Sequence, residues 1–135
     1  MTPVINKQKE ALRGSPSRDA FKHAHKVRLA SSFYACDLDF IFVAKFPYRI
    51  VAFLDYKRMS DGATFSEVIA WNDLMALRPV FIIRSDNPEL GPFSIYRFMG
   101  GDPAPEPPIC DFQSIRQCET WEDLGEWEQE LRNEL

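Results

Sequence analysis

Cys36-Asp37-Leu38-Asp39-Phe40-Ile41-Phe42-Val43-Ala44, Lys45-Phe46-Pro47 and Tyr48-Arg49-Ile50-Val51-Ala52-Phe53-Leu54-Asp55-Tyr56-Lys57 make up the stretch on which the fold turns. Phe, Ile and Val dominate Leu38 to Ala44 and Arg49 to Tyr56, so both read as strands, and Lys45-Phe46-Pro47 reads as a short turn between them. The second strand is apolar on both faces, the pattern of a central strand. Side chains alternate along a strand, so Asp55 and Lys57 share a face, and folding the second strand back along the first carries Asp39 to a comparable height. Ionised groups buried in such a sheet need compensation, which a divalent metal ion would supply. Asp37 shares strand parity with Asp39 and is an alternative ligand.

Reading outward, Asp61-Gly62 breaks the sheet, and Thr64-Phe65-Ser66-Glu67 is a capping box that opens a helix to about Leu77. A helix there makes a crossover long enough to join parallel strands. Pro79 to Arg84 is a third strand of the buried type. Phe93 to Met99 is a fourth, antiparallel to it across the loop Ser85 to Pro92. Residues 100–119 are expected as a proline-rich connection, since Gly100 to Pro108 alone holds four prolines and two glycines. Thr120-Trp121-Glu122-Asp123 opens a final helix over 120–135, with Leu124, Trp127 and Leu131 on one stripe. Upstream, Pro3 to Leu12 forms a short helix ended by Gly14 and Pro16. Ser17 caps a second helix through about Leu29, whose Phe21, Ala24 and Val27 are expected to pack on the sheet. The expected architecture is a single α/β domain over 1–135, a mixed sheet of four or five strands flanked by helices.

The pattern Asp39, fifteen residues, Asp55-Tyr56-Lys57 resembles the active-site signature of the PD-(D/E)XK nuclease superfamily: an acid, a variable spacer, Asp or Glu, any residue, and Lys. Leu38 stands where the signature has its proline. The order of elements over residues 18–99 is also similar to that superfamily's core, in which a helix precedes three strands, a helix and another strand. The resemblance implies a restriction-endonuclease-like core and a metal-dependent nuclease with Asp39, Asp55 and Lys57 as catalytic residues. It further implies Mg²⁺ or Mn²⁺ held by Asp39 and Asp55. The family often adds a glutamate from its first helix, for which Glu10, the only glutamate upstream of Asp39, is the candidate. Hard oxygen ligands suit such a cation, and open positions would accept a phosphate oxygen and a water that Lys57 positions or helps deprotonate.

Charge bears on partners. Residues 1–58 hold eleven Lys or Arg against five Asp or Glu, and residues 59–135 five against fifteen, so a net charge of -4 hides a basic first half. Arg18, Lys22, Lys26 and Arg28 form a cationic helix face suited to phosphates, or a solvated helix surface, and the nuclease resemblance implies nucleic acid, DNA above all, as the partner. The acidic second half fits instead a nuclease-like fold used as a catalytically inactive binding or inhibitory module for a protein partner. A homodimer or larger complex would supply recognition surface that one small domain lacks.

Hydrophobic residues at 45% and aromatics at 13% exclude a disordered chain. No apolar run approaches membrane-spanning length and Met1 to Glu10 lacks the apolar stretch of a signal peptide, which together point to a cytoplasmic protein without a membrane partner. Three cysteines, Cys36, Cys110 and Cys118, have no zinc-type spacing and suggest reduced, structural thiols. His23 and His25, two apart on a helix, diverge and do not suggest a zinc pair. Phe33, Tyr34, Trp71 and Tyr96 are read as core aromatics before base-stacking ones.

Overall fold

A computed structural model describes residues 16–28 and 36–135. They fall into two units divided between Ala35 and Cys36. The first contributes one described helix, α1 (Pro16–Arg28), in which no residue is buried. Phe21 and Val27 are solvent-exposed, which departs from the packed stripe expected for them.

The second unit is a five-stranded mixed sheet, β1 (Phe40–Ala44), β2 (Arg49–Lys57), β3 (Val80–Arg84), β4 (Phe93–Asp102) and β5 (Ile109–Cys118), with α2 (Phe65–Leu74) after β2 and α3 (Trp121–Asn133) after β5. The strands lie in sequence order; β2 and β3 are parallel and every other neighbouring pair is antiparallel. The mixed α/β architecture expected from the sequence is the one observed. Between α1 and α2 the described residues contain two strands, β1 and β2, where the superfamily core has three.

Each face of the sheet carries its own core, because β2 and β3 are apolar on alternate residues in both directions. Under α2 lie Phe53, Val68, Trp71, Val80, Ile82 and Phe98. Under α3 lie Ala52, Leu54, Phe81, Ile95, Leu124 and Trp127, with the Phe81 and Trp127 rings edge to face at 5.1 Å. α2 begins on the expected capping box, Thr64 Oγ1 accepting from Glu67 N–H at 3.2 Å and Glu67 Oε1 accepting from Thr64 N–H at 2.9 Å. α3 is capped by Thr120, as its sequence indicates.

β5 is the chief departure. Ile109 to Cys118 was expected as irregular connection and is a ten-residue edge strand, and β4 itself runs on to Asp102. The register with β4 passes from Arg116 opposite Ile95 to Ser114 opposite Tyr96, skipping Ile115. That bulge turns Phe112 toward the α2 core and Cys118 toward the α3 core although both are even-numbered. A strand whose parity reverses midway shows no period-2 signal. Gly101 lies where β4 and β5 approach closely, since a β-carbon there would stand 2.7 Å from Ile109 O. Asn72 of α2 clamps that backbone, donating to Gly101 O at 3.0 Å and accepting from Gly101 N–H at 3.1 Å.

Candidate functional site

Asp39 immediately precedes β1, and Asp55 lies two residues before the end of β2, one step beyond the Phe40–Leu54 pair. The hairpin brings the two aspartates together at the sheet's end. Asp39 N–H donates to Asp55 Oδ1 at 2.9 Å, and Tyr56 N–H donates to Asp39 Oδ2 at 2.8 Å. These bonds extend the β1–β2 ladder by one rung in which carboxylates replace carbonyls.

Asp55 projects to the α2 face, as its parity with Phe53 requires, and is only 3% exposed. Trp71 Nε1, from the middle of α2, donates to Asp55 Oδ2 at 2.7 Å, so both carboxylate oxygens are satisfied. Desolvation nonetheless dominates. It pushes the Asp55 carboxyl up to about 6; the bonds from Asp39 and Trp71 oppose the rise, and the negative charges of Asp39 and Glu67 add to it.

Lys57 shares that face, but its ammonium is held by Glu67, Nζ donating to Oε1 at 3.0 Å and lying 2.9 Å from Oε2. It also sits 5.8 Å from the centroid of the Trp71 ring. Glu67 therefore caps α2 and anchors Lys57 at once. The first role is legible in the sequence as a capping box; the second is signalled there only by a carboxylate fixed at the start of the helix that follows Asp55-x-Lys57. The role of Trp71 as the donor to Asp55 has no such signal, because nothing in the spacing of two residues on different elements announces it.

The loops at the carboxyl ends of the parallel pair β2 and β3 are tied down around this site, the edge where open α/β sheets usually hold ligands. Tyr56 Oη donates to Ser85 O at 2.7 Å, and Met59 N–H donates to Asp86 Oδ1 at 3.1 Å. Arg84 Nη1 donates to the carbonyls of Arg58 and Asp61 at 3.0 and 2.6 Å. On the other face of the same strand end, a cavity of about 560 Å³ is bounded by Asp39, Phe40, Ile83, Phe93, Leu124 and Glu128, among other residues.

Arg18, Lys22, Lys26 and Arg28 are all solvent-exposed on α1. Glu10, Phe33 and Tyr34 lie outside the described residues. Asp37 makes an interaction of its own and does not displace Asp39 from the rung. Trp71 is a buried donor, and Tyr96 lies against Phe112. The cysteines are free thiols, and burial pushes those of Cys110 and Cys118 up, away from the reactive thiolate form.

Among the described residues no group of three His, Cys, Asp or Glu side chains gathers as a metal site. Mg²⁺ does not require one, since it is ordinarily held by one or two carboxylates with water completing its shell. Asp39 and Asp55 fit that sparser demand: they adjoin, and Asp39 Oδ1 receives no protein hydrogen bond among the described residues, while Oδ2 is taken by Tyr56 N–H. Among the described residues no helix is long and apolar enough to cross a membrane. Compared with protein-family models, curated proteins and solved structures, the chain matches none.

Proposed function

We propose that this chain is a divalent-metal-dependent nuclease that hydrolyses phosphodiester bonds in DNA, with Mg²⁺ or Mn²⁺ held by Asp39 and Asp55. The observation carrying this reading is the aspartate rung itself: two carboxylates joined at a strand end, one of them buried and destabilised as an anion chiefly by desolvation. Negative charge concentrated in a poorly solvated place attracts a cation. When bound, such a cation stabilises charge on the attacked phosphate and acidifies water.

The chain's own residues then divide the work. Asp39 and Asp55 hold the site in one geometry through their shared hydrogen bond, which limits reorganisation during reaction. Trp71 fixes the direction of the Asp55 carboxylate. Lys57, steered by Glu67, orients the water or a phosphate oxygen. The exposed cations of α1 are suited to nucleic-acid phosphates.

A specific observation favours a second reading, an inactive nuclease-like module that binds a protein partner. Both Asp55 oxygens are already engaged by N–H donors, and no third acidic ligand joins the pair among the described residues. Cleavage of single-stranded, duplex and branched DNA with Mg²⁺ or Mn²⁺ tests the choice, comparing the wild type with Asp55→Asn and Lys57→Ala. Metal-dependent cutting, lost in both folded variants, supports the enzyme. No cutting with either metal, together with recovery of a stoichiometric protein partner, supports the module.

A further inference from the structure

Among the described residues, the walls of the cavity on the α3 face accept hydrogen bonds and offer no free side-chain donor. Its side-chain donors, Tyr56 Oη and Trp121 Nε1, are both spent on backbone carbonyls, those of Ser85 at 2.7 Å and Glu89 at 2.8 Å. Among the described residues no lysine, arginine or histidine lines it, whereas Asp39 and Glu128 do, together with Asp55, whose carboxylate is held by Trp71 on the α2 face. Of these, Asp55 has both oxygens occupied from the protein, which leaves Asp39 Oδ1 and the Glu128 carboxylate as the acceptors a ligand would meet. Glu128 sits at the solvent-facing rim, where desolvation alone pushes its carboxyl up and no donor offsets the effect. The remaining lining is apolar and rich in aromatic rings, including Phe40, Phe42 and Phe93.

We propose that this cavity binds a small organic ammonium ion, an aromatic or aliphatic body carrying a primary amine, seated with its apolar part among Phe40, Ile83, Phe93 and Leu124 and its ammonium between Asp39 and Glu128. The volume, about 560 Å³, falls within the range of small-molecule sites. An anionic ligand is disfavoured there because it would face carboxylates with no compensating donor. A neutral apolar ligand would leave the two acceptors without a partner. A cation satisfies both, and the aromatic walls add attraction to its positive charge. This site goes beyond the nuclease reading; because Asp39 Oδ1 would serve either the metal or the ammonium, binding is measured without Mg²⁺ and without cleavage.

The test is a titration of the ¹⁵N-labelled full chain at neutral pH with 2-phenylethylamine, 2-phenylethanol and 3-phenylpropionate. The indole N–H signal of Trp121 reports on the cavity, and that of Trp71, which donates to Asp55 on the opposite face, serves as the internal control. The amine should give saturable shifts at Trp121 and bind about tenfold more tightly than the alcohol, the worth of one charge-assisted hydrogen bond, with the propionate weaker still. Glu128→Gln, a substitution on the exposed side of α3, should remove most of that preference, and Leu124→Trp should block all three probes by filling the space. Should Leu124→Trp fail to fold, Glu128→Gln alone still decides. Equal affinity for the three probes, no saturable shift with the amine, or a preference unchanged in Glu128→Gln overturns the proposal.

Discussion

The two faces of the sheet meet at the end of β2 and differ there in kind. Under α2 the strand end is filled with polar groups that find each other: Asp55 with Trp71, Lys57 with Glu67, Asn72 with Gly101. Among the described residues no buried side-chain polar atom is left without a partner. Under α3 the same strand end is apolar and incompletely filled, leaving a cavity edged by acceptors. The Asp39–Asp55 rung is the boundary between them. One strand end thus carries a rigid charged network and an open apolar space, so charge is fixed on one side and room is kept on the other. Rigidity costs little when the donors are built into the fold, whereas space costs packing energy.

If the α2 side is a tightly satisfied network, removing one donor should be felt most. Trp71→Phe deletes the indole N–H that donates to Asp55 at 2.7 Å and opens a gap beside Phe98, whose ring lies edge to face with Trp71 at 5.4 Å. An orphaned buried carboxylate oxygen and a small cavity together should cost about 3–4 kcal/mol in urea unfolding at neutral pH. A loss below about 1 kcal/mol would mean that water replaces the indole and the network is looser than its geometry indicates.

The pH dependence of Asp55 is the next largest effect. Its carboxyl is raised from 3.8 to about 6, so the folded state binds the proton more tightly than the unfolded chain does. Stability contributed by this group is therefore full below about pH 3.8 and lost as pH rises through about 6. The loss is on the order of 3 kcal/mol by linkage. Asp55→Asn cannot ionise and presents an amide to N–H donors, so it should be the less stable protein at pH 4 and should close the gap by pH 7. Urea midpoints and slopes at four pH values between those limits measure this. Millimolar Mg²⁺ should flatten the slope of the wild type alone if the rung holds a cation; a slope indifferent to Mg²⁺ argues for the binding module.

How far these features could be read from sequence follows the range of the interaction. The capping box at Thr64–Glu67 was legible because both partners lie within one helical turn, and β2 was legible because its apolar run is continuous. Asp39 and Asp55 were legible as a pair once the Lys45–Pro47 turn was recognised, since a hairpin sets their heights. β5 was not, because the skipped Ile115 reverses its alternation and polar residues fill its outer face. The Trp71–Asp55 bond and the Lys57–Glu67 ion pair were not, because each depends on how α2 lies across the sheet. That placement is fixed by packing of Val68 and Trp71 against Phe53, Val80 and Phe98, and no local spacing encodes it.

Lys57→Met tests the same network at a weaker point. The ion pair with Glu67 is mostly sheltered, with side chains 12% and 16% exposed, and Glu67 keeps its cap to Thr64 N–H when the ammonium is gone. About 2 kcal/mol of stability should be lost, less than for a fully buried pair because the freed carboxylate retains one donor and partial solvent. Glu67→Gln in the same background should restore part of it by removing the unpaired charge. A double-mutant cycle that returns no coupling would show that the two groups meet without supporting each other.

The smallest effect gives the cleanest contrast between the faces, because it makes one substitution at adjacent residues of β3. Ile82 is fully buried in the α2 core, while Ile83 packs at the edge of the α3 core and lines the cavity. Ile82→Phe must force extra volume into filled space and should cost about 2 kcal/mol. Ile83→Phe can extend its ring into the cavity, keeps a residue type favoured in strands, and should change stability by less than about 1 kcal/mol in either direction. It should also weaken 2-phenylethylamine by taking up the space the amine's ring would occupy. If the two substitutions cost the same, the cavity closes in solution, and the distinction between a filled face and an open one is lost; if Ile83→Phe alone is tolerated, the space beside the aspartate rung is a property of the fold.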